Sequence, residues 1–215
     1  MKVLALLARK GGAGKTTLAV HLAVVAVQAG RRVLLVDADP QRSAADWWRA
    51  RDAPMPELVE CEAERVRDVL GAARRAGVGL AVVDTPPSVA ADTAALARLA
   101  DLVLIPTRPA ILDLRAIAAT AELVRAARRP GAIVVNAAPP GRGDSEATLT
   151  AEARAALAVY GLPVCPVAVG NRAALAHALA AGQAVTEYDS AGRAAAELRC
   201  LYDHVETRLW PGDRL

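Results

Sequence analysis

Short apolar runs recur along the chain, and each is followed by a longer stretch in which alanine and leucine are interrupted by charged positions. Residues 3–7, 32–36, 80–83, 102–105 and 132–135 are apolar almost throughout, the pattern of strands buried on both faces. Shorter strands are expected near 58–60 and 163–169. Helical spacing predicts helices over 16–29, closed by Gly30, and over 63–76, 90–99, 113–127, 147–158, 172–180 and 190–208. The first of these reads as amphipathic, with Leu18, Leu22 and Val25 on one face. Strands alternating with helices imply an α/β fold, a mostly parallel twisted sheet with helices on both faces. In such a sheet the ligand crevice lies beyond the carboxyl ends of the strands. Residues 10–17, Asp37 with Asp39, Asp84 and Asn136 all fall just past strand ends.

Length and composition narrow the class. The 215 residues suit one domain over 1–215, with no repeat and no linker. The loop 139–145 (PPGRGDS) reads as a flexible surface segment near the crevice. Apolar residues make up 54% and charged residues 23%, which excludes a disordered chain. Phe is absent and aromatics reach only 3%, so the core must be built from Ala, Val, Leu and Ile. A formal charge of +3 does not by itself announce nucleic-acid binding. The three cysteines form no CxxC or Cys/His cluster and read as small buried hydrophobes. No stretch is long enough and apolar enough for a membrane span, and the protein is expected in the cytoplasm.

Lysine usage points to the chemistry. Among 26 basic residues only Lys2, Lys10 and Lys15 are lysines, and two of them flank one glycine-rich loop. Residues 10–17 read KGGAGKTT. The general pattern GxxxxGK[ST] fails at its first position, which is Arg9, but a variant KGGxGKT[ST] is present. Glycines allow successive N–H groups to turn inward around phosphate oxygens, and the following helix adds its positive end. Lys15 suits the β and γ phosphates and the Thr16 hydroxyl suits Mg²⁺. VDADPQ at 36–41 and VVDTPP at 82–87 place carboxylates at neighbouring strand tips. Asp84 could hold the metal and Asp39 could orient water, with Asp37 in the same network; as alternatives, all three suit helix caps and turns. His21 reads as a core histidine. In the pair Trp47-Trp48 one ring is expected in the core and one at the rim, the alternative being a docking surface for a partner.

These motifs together resemble the ParA/MinD family of deviant Walker-A ATPases. TRPAILDL (107–114), VVNAAPP (134–140) and the tail 178–205 resemble the same family, so the likeness spans nearly the whole chain. It is nearest to short ParA-type partition ATPases without an N-terminal helix-turn-helix domain. The resemblance implies a P-loop NTPase fold, ATP and Mg²⁺ as cofactors, and slow hydrolysis. Gly11, Gly12, Ala13, Gly14, Lys15, Thr16 and Thr17 would cradle the nucleotide, with Asn136 against adenine and Pro166 in the same binding set. Thr16, Asp37 and Asp84 would serve the metal, and Asp39 hydrolysis. Lys10 would reach across an ATP-bound homodimer to the partner's phosphates. Nonspecific DNA binding by the ATP dimer, association with the nucleoid, and a centromere-binding or cargo adaptor that stimulates hydrolysis are further implications. Arg172, Arg193 and Arg199 are candidate DNA contacts, with Arg125, Arg128 and Arg129 as a second set; each is equally readable as a solvated side chain. Members often carry a basic residue where this chain has Gly170. Two alternatives are a MinD-like membrane-associated ATPase, for which the acidic, Pro-Gly-broken end 201–215 makes a poor anchor, and an ATP-dependent biosynthetic ligase. The cargo, whether plasmid, chromosome, protein cluster or compartment, is not written in these motifs.

Overall fold

The apolar runs pair side by side because only a parallel sheet covered on both faces can bury strands that lack a polar side. A computed structural model describes residues 1–87, 90–141 and 145–212. In chain order the elements are β1 (Lys2–Leu6), α1 (Lys15–Gln28), β2 (Val33–Asp37), α2 (Ser43–Arg49), β3 (Glu57–Glu60) and α3 (Val66–Arg75). They continue with β4 (Leu80–Asp84), α4 (Ala90–Leu99), β5 (Leu102–Thr107), α5 (Ile111–Ala126) and β6 (Gly131–Val135). The last part holds α6 (Thr148–Leu157), α7 (Ala173–Ala180), α8 (Val185–Tyr188) and α9 (Arg193–Leu209). The strands form one sheet of order β3-β2-β4-β1-β5-β6, parallel throughout.

Alternate residues of each strand feed opposite layers. Leu4, Leu6, Leu80, Val82, Leu102 and Leu104 face the layer that contains α1, α2, α7, α8 and α9. Val3, Ala5, Ala81, Val83, Val103 and Ile105 face the layer of α3 to α6. Helix α1 departs from the amphipathic expectation: Leu18 through Ala26 are all buried. It lies between the sheet and α9, whose Leu198, Leu201, Tyr202 and Val205 cover its outer side. A helix enclosed on both sides needs no polar face. His21 is fully buried there; its Nδ1 accepts the Val185 N–H at 3.1 Å, and burial lowers its pKa to about 4.

Three further expectations need correction. The stretch 163–169 is not a strand; it touches the sheet edge through isolated bridges, Ile133 with Val164 and Ala138 with Gly170, and through the Val169 N–H donating to Val135 O at 2.9 Å. Pro163 and Pro166 lack the N–H groups that a continuous ladder requires. Cys165 is buried and Cys61 half-buried, but Cys200 is exposed on α9. The helices α2 and α8 were not anticipated, being shorter than the window over which helical periodicity becomes visible. Residues 142–144 of the 139–145 loop and Asp213 of the tail lie outside the described residues.

Helix α2 is held at its far end by the α7–α8 turn. Trp47 is buried and its Nε1 donates to Gln183 O at 3.2 Å, while Trp48 is partly buried and donates to Pro56 O at 2.8 Å. Arg51 donates to Gly182 O at 3.1 Å and grips Glu187 with both terminal nitrogens at 2.8 and 2.7 Å. Gly182 has φ +66°, and a Cβ there would overlap Ala50 O and reach 2.9 Å from Arg51 Cα. Gly182→Ala therefore combines left-handed strain with a backbone collision and should cost about 2 kcal/mol or more. Urea unfolding measures this; a variant as stable as the parent would show that the α2 contact yields freely.

Candidate phosphate-binding site

Where β1 ends, the chain turns through residues 7–14 and re-enters as α1. Gly12 at φ +72° and Gly14 at φ +93° take left-handed conformations that side chains disfavour. A Cβ on Gly14 would also overlap the amide nitrogen of Asn136. That nitrogen donates to Ala13 O at 2.8 Å, tying the end of β6 to the loop. Gly11 and Gly12 are exposed, Ala13 is buried, and Thr16 and Thr17 are half-buried in the first turn of α1. The helix's free N–H groups and the loop's backbone thus form a concave, electropositive rim of the kind that receives phosphate.

The register sets acids opposite this rim. Asp84 pairs with Leu6 across β1–β4 and with Asp37 across β2–β4, so both carboxylates stand level with the loop. Lys15 is buried; desolvation lowers its pKa, and Asp84 and Asp39 act to restore it. Asp84 is fully buried, and neither of its carboxylate oxygens completes a hydrogen bond among the described residues. Burial pushes its carboxyl up to about 7; the nearby Thr16 hydroxyl and Lys15 oppose the rise, and Asp37 and Asp39 assist it.

Asp37 has backbone partners on both oxygens. Its Oδ1 accepts the Asp39 N–H at 3.1 Å and its Oδ2 the Ala45 N–H at 2.9 Å. One oxygen thereby holds the turn at Asp39 and the other the first turn of α2, so Asp37 positions both segments. Burial raises its pKa and the two N–H groups hold it back. Asp39 is buried in the turn beyond, where its Oδ1 accepts the Gln41 N–H at 3.0 Å. Arg42, at φ +52°, clamps this turn by donating to Asp37 O at 2.8 Å, Cys61 O at 2.9 Å and Glu62 at 2.5 Å.

Lys10 is half-exposed and forms an ion pair with Asp113 in the first turn of α5. Arg42, Arg108 and Asp113 were all missed by sequence reasoning. Asp113 sits inside the quoted TRPAILDL stretch, but no local spacing announces that it meets a lysine more than a hundred residues earlier.

Two adjoining hollows lie on the β6 side of the loop. One, of about 190 Å³, is lined by Gly12, Gly14, Thr17, Arg108, Asn136 and Arg172. The other, of about 360 Å³, includes Pro139, Pro166, Arg172, Arg193 and Glu197. Both touch Gly170 and Arg172, so Asn136 and Pro166 border neighbouring hollows. The candidate arginines fare unequally. Arg172 is paired with Glu197 at 2.5 Å, Arg193 is exposed, and exposed Arg199 donates to Ser190 O at 2.8 Å. Arg125, Arg128 and Arg129 are exposed at the far end of α5, away from the loop.

Residues 4–185 match the CobQ/CobB/MinD/ParA nucleotide binding domain. The chain belongs to this family. It is an ATPase of the ParA/MinD type. The Maintenance of carboxysome distribution protein A of Gloeobacter kilaueensis is 36% identical over 214 residues, covering 97% of this chain and 94% of that one. The chromosome-partitioning ATPase Soj of Thermus thermophilus is 32% identical over 162 residues, 59% of this chain and 64% of that one. An ATP complex of McdA from Cyanothece superposes with a TM-score of 0.76 at 19% identity, covering 100% of this chain and 98% of that one, which establishes likeness of fold.

A ParA/MinD-type ATPase is expected to hold a divalent cation, and this site suits one. Asp84 offers two buried oxygens without partners beside the Thr16 hydroxyl, and a cation would meet a need that the protein leaves open. The raised pKa has a consequence for the chain without ligand. Between about pH 4 and pH 7 the unfolded carboxyl has lost a proton that folded Asp84 retains, so stability falls as pH rises through that window. With chelator present and nucleotide removed, the melting midpoint should decline from about pH 5 to pH 8. Asp84→Asn should remove most of this slope; equal slopes in both proteins would show that Asp84 ionises at little cost.

Proposed function

We infer that the chain is a Mg-ATP-dependent, dimerising switch that positions a cargo along nonspecific DNA and is released when a partner stimulates hydrolysis. Two findings support this reading. The chain aligns nearly end to end with a carboxysome distribution protein, and it shares shorter stretches with chromosome-partitioning relatives. The observation that carries the chemistry is the unpartnered Asp84 carboxylate level with the glycine loop.

The loop N–H groups and the α1 terminus hold the phosphate chain, and Lys15 neutralises its β and γ groups. Thr16 and Asp84 would hold the magnesium, which would supply positive charge against the charge developing on the phosphates. Asp39 orients the attacking water, and Asp37 and Arg42 fix the turn from which it does so. Asn136 and Pro166 border the neighbouring hollows for the base. Lys10 acts in trans; to do so it leaves Asp113, so that pair marks the state without a partner copy.

Exposed Arg193 and Arg199 are the better candidates for DNA, because Arg172 already has a carboxylate partner. Such contacts are sequence-independent and weaken with salt. A membrane role is less well supported. The apolar face of α9, which would otherwise be available to a lipid surface, packs on α1.

Asp39→Ala should bind ATP, sediment as a dimer and hydrolyse on the order of 100-fold more slowly; normal turnover would refute its assigned role. Lys15→Gln should lose ATP binding in calorimetry, and parental affinity would mean that the loop does not hold phosphate. Sedimentation of the parent with ATP, and then with DNA at low and high salt, tests the switch itself; a monomer under every condition would remove it.

A further inference from the structure

We propose that Arg108 is a phosphate-binding residue that closes over the glycine loop and grips the α- and β-phosphates of the nucleotide. This rests on the nucleotide reading above and adds to it a residue just past β5, inside the TRPAILDL stretch but with no role assigned there.

The argument begins with Gly12. Its φ of +72° turns the position toward the hollow that also contains Gly14, Thr17 and Asn136. A Cβ on Gly12 would meet Arg108 Nη2 at 3.4 Å and Cζ at 3.9 Å. The guanidinium therefore borders the space that a Gly12 side chain would fill, beside the loop. The Thr107 hydroxyl donates to Arg108 O at 3.2 Å, which steadies the main chain where it leaves the strand.

The charge is uncompensated. Two neighbouring cations have carboxylate partners, Lys10 with Asp113 and Arg172 with Glu197. Among the described residues Arg108 has none. A guanidinium held beside a loop glycine without a counter-ion is poised for an anion, and its planar fork of donors matches phosphate oxygens better than an ammonium does.

Position selects the phosphates. Loop N–H groups of this kind cradle the α- and β-phosphates, whereas the loop lysine reaches β and γ. Arg108 shares its hollow with Gly12, Gly14 and Thr17 and not with Asp84 or Asp39. Its contact is consequently with groups that ATP and ADP have in common. Arg108 thus strengthens binding of both nucleotides and does not discriminate between them, leaving that distinction to Lys15 and the carboxylates.

Calorimetry of the full chain with Mg-ADP and Mg-ATP provides the test. The parent must first give heat with ADP; its silence would remove the nucleotide reading as a whole, independently of Arg108. Given parental binding, Arg108→Ala should raise the dissociation constants for ADP and ATP by a common factor, on the order of 10-fold, as loss of a charge-assisted hydrogen bond implies. Arg108→Lys, which keeps the charge but not the fork, should recover part of that loss for both. Unchanged ADP affinity in Arg108→Ala would overturn the proposal. So would a loss confined to ATP, which would place the guanidinium at the γ-phosphate.

Discussion

Three strands run out at the same level, and every candidate chemical group depends on that alignment. The in-register pairing of Leu6 with Asp84, and of Asp84 with Asp37, brings a glycine loop and two carboxylates to one edge of the sheet. Parallel pairing is what permits this, because it sends all strand ends the same way and separates successive strands by helices. A slip of one residue in β4 would turn Asp84 into the opposite helix layer and replace it with Val83 or Thr85. The apolar register of the core therefore also holds the polar geometry of the site.

Burial gives the site its character. Asp84, Asp37 and Lys15 are withdrawn from water, and each has its charged form disfavoured by that withdrawal. The resulting tension is relieved locally for Asp37 by two backbone N–H groups and only in part, by Thr16 and Lys15, for Asp84. The two acids look alike in sequence and differ in what surrounds them. One builds the loop, and the other remains available to a cation.

Much of this was legible in the chain. Apolar runs bounded by glycine, proline and aspartate located five strands closely, because a doubly covered strand leaves a dense local signature, and the sixth, β3, lies within one residue of the expected 58–60. The glycine loop and the strand-tip acids were legible for the same reason: their spacing is local. The rest was not local. Asp113 meets Lys10 across the sheet, and Arg108 comes beside Gly12 from just past the end of another strand. The interruption of 163–169 came from prolines set within an otherwise strand-like run, and the burial of α1 on every side came from α9, nearly two hundred residues away. The hold of Asp37 on Ala45 was hidden as well, because Ala45 belongs to a helix too short to be foreseen.

The placement of tryptophan gives the molecule a built-in optical reporter. Of its 3 tryptophans, Trp47 and Trp48 sit together on the helix whose first turn is anchored by Asp37, while Trp210 is stacked under Arg31 at 4.1 Å on a distant surface. With no phenylalanine and only 3 tyrosines, ultraviolet emission comes mainly from that one helix and its surroundings. A rearrangement of the Asp39 turn that moves this helix would change the surroundings of both rings, which makes intrinsic fluorescence the natural signal to follow in a stopped-flow instrument.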